Sequence, residues 1–211
     1  MLSTTTLSAT LAGVDDRPYH HGHLRATLLA EAERTLRDVG IDALSLRELA
    51  RQAGVSHAAP RRHFPDRQAL LDALAEAGFT RLADEVRAAI DGAGSGYQAR
   101  LRAAAAAFVR FATRDAALME LMFAAKNAAD SAGTREAAAR LFGIIGALIG
   151  EGQQAGALPA GDPYRLQLLF GATLQGIAVM VSSGRIQPGE ADTLISDAIV
   201  LFTRGQPGSK T

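Results

Sequence analysis

The chain has 211 residues, 48% of them apolar and 21% charged, and its 22 basic side chains balance 22 acidic ones. That composition supports a packed core, in one large domain or two modest ones, and excludes wholesale disorder. With no cysteine there are no disulfides and no thiolate metal site, which fits a reducing, cytoplasmic compartment. Alanine is abundant while valine and isoleucine are sparse, which favours helix over sheet.

Residues 1–18 read as a flexible tail. They lack the basic start and apolar stretch of a signal peptide, and no run in the chain is expected to reach the length of a membrane span. The first predicted helix covers 21–39, where Leu24, Leu28, Leu29, Ala32 and Leu36 recur at helical spacing and Gly40 closes the run. The stretch from Leu44 to Phe64 carries the most information. Ser45 followed three residues later by Glu48 is a capping box, which predicts a helix over 45–52 with Leu46, Leu49, Ala50 and Ala53 on its apolar face. Gly54 stops that helix and Val55 plugs the corner. Ser56 reads as a second N-cap, opening a helix over 56–62. Two short helices joined by a glycine-bearing turn make the helix-turn-helix pattern, whose second helix enters the major groove of DNA.

Charge agrees with that pattern. From Leu44 to Arg67, five arginines (Arg47, Arg51, Arg61, Arg62 and Arg67) and two histidines (His57 and His63) face only Glu48 and Asp66. A chain of zero net charge thus has one locally basic surface, enough to attract phosphates over the short range that salt allows. Pro60 sits inside the second helix of the pair. It lacks the N–H that would bond the Ser56 carbonyl, so a distorted first turn is predicted.

Pro65 and Asp66 break the chain and cap a long helix over 67–90, whose apolar residues include Leu70, Leu74, Phe79, Leu82, Val86 and Ile90. The sequence GAGSG at 92–96 places a domain boundary nearby. Further helices are predicted over 97–114, 116–126, 134–154, from Asp162 and Pro163 to about 183, and over 190–204, with 206–211 a loose end. No strand pattern or internal repeat is visible. The expected fold is all-α, with about nine helices. Residues 19–66 make a three-helix DNA-binding domain, 67–91 a connecting helix, and 92–205 a helical ligand-binding and dimerisation domain.

The helix beginning at Pro163 is apolar around most of its circumference, so it needs cover on more than one side. Either it is the central helix of a monomer, or it pairs with its copy in a homodimer. Reading DNA by helix-turn-helix requires two copies, which favours the homodimer, with a four-helix bundle built on Leu166, Phe170, Leu174, Ile177, Val181, Ile195, Ile199 and Phe202. The large apolar residues Phe108, Phe111, Met119, Met122, Phe123 and Phe142 are either ordinary core or the lining of a pocket for an apolar small molecule. Gln175, Lys126 and Asn127 are candidate polar contacts to such a ligand. His20, His21 and His23 do not complete a metal-ligand set, so no metal and no cofactor are expected. The chain has no Gly-x-Ser-x-Gly, no phosphate-binding Gly-x-x-x-x-Gly-Lys loop and no His-Glu-x-x-His. An enzyme built on a helical bundle is therefore a distant alternative. A DNA-binding protein without an effector is a nearer one.

The segments YHHGHLR at 19–25 and LSLRELARQAGVSHAAPRRHFPDRQALL at 44–71 resemble the TetR family of bacterial transcriptional regulators. FVRFATRDAALMELMF at 108–123 and GALPAGDP at 156–163 are similar to the ligand-binding domain of one branch, which often carries Trp-His-Gly where this chain has Leu174-Gln175-Gly176. The resemblance implies a homodimer on a palindromic double-stranded operator, acting by default as a repressor, released when a small-molecule effector wedges the helical domain. It puts Arg67 where the family has a phosphate-binding Lys, and Arg61 where it usually has a phosphate-touching Tyr. On this reading Ser45 and Ser56 present helix starts to phosphates, and Arg62 and His63 reach phosphates as well. Arg47 and His57 read base edges, and Ala58 and Ala59 allow close approach to thymine methyl groups.

Overall fold

The computed structural model describes residues 21–128 and 131–204, and within them the protein is built from helices without a strand. The α-helices are α1 (His21–Val39), α2 (Leu46–Gln52), α3 (Arg67–Gly92), α4 (Tyr97–Arg114), α5 (Ala116–Ala128), α6 (Ala132–Gln154), α7 (Pro163–Ser182) and α8 (Pro188–Arg204). The expected tail at 1–18, His20, and the loose end at 206–211 lie outside the described residues, and so do the side chains of Lys126 and Asn127. The fold class matches the expectation, but the helix count does not. The segment 56–62 forms no α-helix, for a reason developed below, so eight α-helices stand where about nine were expected.

Side-chain caps set four of the eight starts among the described residues. Asp66 Oδ1 accepts from the Ala69 N–H at 2.8 Å, and Asp162 Oδ1 from Tyr164 at 2.9 Å with Pro163 in the first turn. Each carboxylate satisfies a donor that the helix itself cannot. Ser131 caps α6, which starts two residues before the predicted position, and Gln187 and Pro188 bring α8 in early by the same margin.

The 26-residue α3 is the axis of the molecule. It packs with α1, which in turn packs with α2, and Leu28, Leu36, Leu49, Phe64 and Leu70 are buried in this part of the core. Its later turns run through α4, α5 and α6 and bury Phe79, Leu82 and Val86. The core is therefore one continuous cluster across both predicted domains. Small residues permit the close contacts. A Cβ on Gly78 would stand 2.6 Å from Met122 Sδ, so that methionine fills the notch which Gly78 leaves. The wholly buried Thr134 hydroxyl donates to the Asp72 carbonyl at 3.1 Å and ties the start of α6 to α3.

Gly152 on α6 lies directly under the Tyr97 ring, and a Cβ there would overlap the phenol Oη and Cζ and reach Leu158 at 3.0 Å. Burial pushes the Tyr97 hydroxyl up to about 12, with Glu151 adding to the effect and Arg100 opposing it. Because this ring is rigid and hemmed in, Gly152→Ala is expected to lower unfolding stability by about 1–3 kcal/mol through overpacking. Urea denaturation of the variant would measure it. An unchanged midpoint would mean that the ring moves freely.

α7 corrects the expectation that no run approaches a membrane span. Its 20 residues have a mean hydropathy of 1.3, and by length and composition alone they could cross one. One side of α7 packs on α4, α6 and α8, burying Phe170, Leu174, Ile177 and Ala178. The opposite side carries Leu168, Leu169 and Val179, which are 48–57% exposed. The apolar character of α7 thus belongs to a bundle helix with one uncovered face.

Candidate nucleic-acid interface

The corner that holds the basic surface is set by local hydrogen bonds. Ser45 Oγ accepts from the Glu48 N–H at 3.1 Å and starts α2. Glu48 does not complete the predicted capping box, because its carboxylate turns forward to accept from Arg51 Nε at 2.9 Å and Gln52 Nε2 at 3.1 Å. After Ala53 the backbone of Gly54 swings to φ +65°, a region open to glycine at no steric cost. The Val55 N–H then bonds the Ala50 carbonyl at 3.0 Å and the Gly54 N–H bonds that of Arg51 at 3.3 Å, the paired bonds of a Schellman stop. This turn fixes the angle at which the chain leaves α2.

The segment beyond it departs from the prediction. Instead of an α-helix over 56–62, the chain makes successive i→i+3 turns. Ala59 N–H bonds the Ser56 carbonyl at 3.0 Å, Arg62 N–H bonds Ala59 at 3.3 Å, and His63 N–H bonds Pro60 at 3.0 Å, before Phe64 N–H closes an i→i+4 bond to the same Pro60 carbonyl at 2.9 Å. The 3-10 helix proper spans Pro60–Arg62. Proline is the cause. An α-helix would require an N–H at residue 60 aimed at Ser56, and proline has none. Ser56 is consequently not an α-helical N-cap, since the residue preceding the 3-10 helix is Ala59 and makes no side-chain cap. Pro60 and Phe64 are buried and anchor the segment. Ser56, His57, Ala58, Arg61 and Arg62 are exposed, while Ala59 and His63 are half-buried.

The arginines of this surface fall into two groups. Arg51 is held by Glu48, and Arg67 at the start of α3 donates Nε to the Leu44 carbonyl at 3.0 Å and Nη2 to that of Ile41 at 2.6 Å. Arg67 thereby ties the loop before α2 to α3, a structural role its sequence position did not signal. Arg47, Arg61 and Arg62 are exposed and pair with no described residue. With Ser45 and His57 they form a surface of unneutralised donors, suited to phosphate oxygens and to guanine edges.

Where this head meets the helical domain, the structure holds an ion-pair cluster that no sequence pattern announced. Asp115 lies in the break between α4 and α5 with its side chain only 3% exposed. It receives Arg37 of α1 at 3.1 Å and Arg114 Nε at 2.7 Å, with Arg81 of α3 at 3.6 Å. Glu33 of α1 bridges Arg81 at 2.9 Å and Arg37 at 3.2 Å, and Glu85 holds Arg114 at 2.9 Å. The Phe111 ring lies between two guanidinium groups, with Arg81 at 5.4 Å and Arg114 at 5.3 Å from its centroid. A cavity of about 380 Å³ opens beside Arg81 between α1 and α3, and one of about 240 Å³ beside Arg37 and Asp115. An aspartate at a helix break, next to an arginine, is common enough that only its burial reveals the role.

The residues expected to line an effector pocket sit mainly in the core. Phe111, Met119 and Met122 are fully buried, and Phe108, Phe123, Phe142 and Gln175 are half-buried. Phe123 packs edge-on against Phe79 with centroids 6.3 Å apart. The void found deeper in the helical domain, beside Leu101, Ile149 and Phe170, measures about 10 Å³, room for a single water at most. Gln175 does carry a buried Oε1 with no hydrogen-bond partner. Among the residues expected at the dimer interface, Phe170, Leu174, Ile177, Ile195 and Ile199 are buried inside the protomer, and Leu166, Val181 and Phe202 are half-buried. The uncovered face of α7 and α8 instead presents Leu168, Leu169, Val179, Val200 and Leu201.

Residues 28–74 match the family model described as bacterial regulatory proteins, tetR family, and residues 101–202 match a tetracycline repressor-like C-terminal domain. A solved protein of unknown function from Rhodococcus sp. RHA1 is 44% identical, with a TM-score of 0.82 over 90% of this chain and 98% of that one. A TetR-family transcriptional regulator from Rhodococcus sp. superposes with a TM-score of 0.65 at 21% identity, over 86% of this chain and 99% of that one, a likeness of fold alone. The class C tetracycline repressor protein of Escherichia coli is 45% identical over 56 residues, and this match spans about a quarter of that repressor's length, 26% of each chain.

Proposed function

Because the chain belongs to the TetR family of bacterial transcriptional regulators, we propose that it works in the cytoplasm as a homodimeric, DNA-binding repressor, released from a palindromic operator by a small apolar effector. The observation that carries the reading is the grouping of exposed Arg47, Arg61 and Arg62, none of them paired with a carboxylate, at the helix-turn-helix corner. Three solvated guanidinium groups on one corner can displace the cations condensed on duplex DNA, and so gain phosphates or guanine edges. Two such corners must stand about 34–36 Å apart to enter successive major grooves. The uncovered apolar face of α7 and α8 is where a second copy would seat.

In this reading the effector acts on the helical domain, and α3 together with the Asp115 cluster passes the displacement to α1. The ligand shifts the equilibrium only by its difference in affinity between the two states. The unpartnered Gln175 Oε1 would anchor a polar group of an otherwise apolar molecule, provided the helices around it part.

The direct test is a gel shift with the DNA upstream of the chain's own gene, across a salt series. Arg47→Ala is expected to reduce the preference for operator over random duplex by about tenfold or more, while keeping most of the non-specific affinity. Arg67→Ala is expected to weaken all duplexes together and also to lower thermal stability, since it unties Leu44 and Ile41. Identical behaviour of the two variants would end this division of roles. If candidate ligands raise the melting temperature but none releases DNA, a regulator without an effector becomes the better reading.

A further inference from the structure

Resting on that DNA-binding reading, we propose that Pro60, which is buried and faces away from DNA, is a specificity-determining position of the reading segment. It would act by imposing 3-10 geometry on Pro60–Arg62 and so setting where Arg61 and Arg62 point.

The argument is geometric. A 3-10 helix advances about 2.0 Å per residue with about three residues per turn, so residues three apart eclipse one another. An α-helix advances about 1.5 Å and turns about 100° per residue. The 3-10 helix spans Pro60–Arg62, and beyond it the Pro60 carbonyl is shared between the His63 N–H at 3.0 Å and the Phe64 N–H at 2.9 Å. Within that one turn Pro60 is buried while Arg61 and Arg62 are exposed. The two arginines stand about 120° to either side of the buried proline and flank the outward face symmetrically. Restoring α-geometry would place Arg62 nearly opposite residue 60 and swing Arg61 to the flank, about 100° round. It would also shorten the element. Pro60 thus positions two charged groups without touching what they touch.

The test needs no known operator. Wild-type protein, Pro60→Ala, Arg61→Ala and Arg62→Ala are each used to select binders from a pool of random-sequence duplexes, with affinity for unselected duplex measured at low salt. The expected result is that Pro60→Ala enriches a different sequence set and binds the wild-type consensus about tenfold more weakly. Its affinity for unselected duplex is expected to stay near wild type, with a small gain in helical circular dichroism. On this proposal both arginines reach base edges rather than the phosphates that the resemblance implies for them, so Arg61→Ala and Arg62→Ala should each lose preference, at different base positions. A Pro60→Ala protein that enriches the wild-type set overturns the proposal. So does a folded one that loses all duplexes equally, because Pro60 would then be merely structural. Should Pro60→Ala fail to fold, the arginine variants still decide, since full retention of preference in either one removes the paired base reading that Pro60 would set. A wild-type protein that enriches no sequence sinks the DNA-binding reading itself, a result distinct from the others.

Discussion

Asp115→Ala is expected to be the most damaging single substitution at the junction, lowering stability by about 2–3 kcal/mol. Removing one partner from a buried ion pair costs more than the pair contributes, because the remaining charges stay desolvated without compensation. Here the remaining charges are Arg37, Arg81 and Arg114, drawn together around one carboxylate. Their side chains are 38–53% exposed, so water relieves part of the penalty and the expected loss falls below that of a fully buried pair. Chemical denaturation would report the total. Amide exchange would report its location, because α1 touches the helical domain through Glu33 and Arg37 and should lose protection before α4 does. A change under about half a kcal/mol, with α1 still protected, would show that apolar packing alone holds the head in place.

The second large effect concerns the uncovered face. Leu169→Asp, or Leu201→Asp, is expected to leave the protomer folded, because these side chains are 57% and 75% exposed in it. The same change should abolish association, since it places a carboxylate at the centre of an apolar contact. Operator affinity should then fall by about 100-fold or more, because the second head no longer binds at the effective concentration that a partner supplies. Sedimentation and gel shift on the same sample would measure both quantities. A wild-type protein that sediments as a monomer, or a Leu169→Asp protein still dimeric with full affinity, would send the search for the interface elsewhere on the surface.

Much of the local structure was legible because it is written in short-range chemistry. Ser45, Asp66 and Asp162 cap as their spacing implies, and Gly54 makes the stop that its position requires. Pro60 announced its own consequence, but its extent depended on whether tertiary packing would tolerate an α-helix with one bond missing. The chain adopted i→i+3 turns at Ser56 and Ala59, and the Pro60 carbonyl accepts from both His63 and Phe64. Two features were hidden for a different reason. Helical periodicity shows that α7 is apolar on several sides, yet not which side meets its own protomer, so Phe170 and Leu174 read the same as Leu169 and Val179. The Asp115 cluster joins residues up to 82 positions apart, from Glu33 to Asp115, and pairing at that range leaves no local trace. The basic surface was visible as composition, but only the folded chain separates Arg47, Arg61 and Arg62 from the two arginines already engaged.

The unbroken course of α3 gives the molecule a gearing. Its 26 residues form a rod about 39 Å long, rooted in the helical domain at one end and in the reading head at the other. A tilt of about five degrees at the root displaces the tip by about 3 Å, close to the rise of one base pair. A molecule lodged among α4, α5 and α6 need not open a visible gap to put the head one rung out of step with its groove.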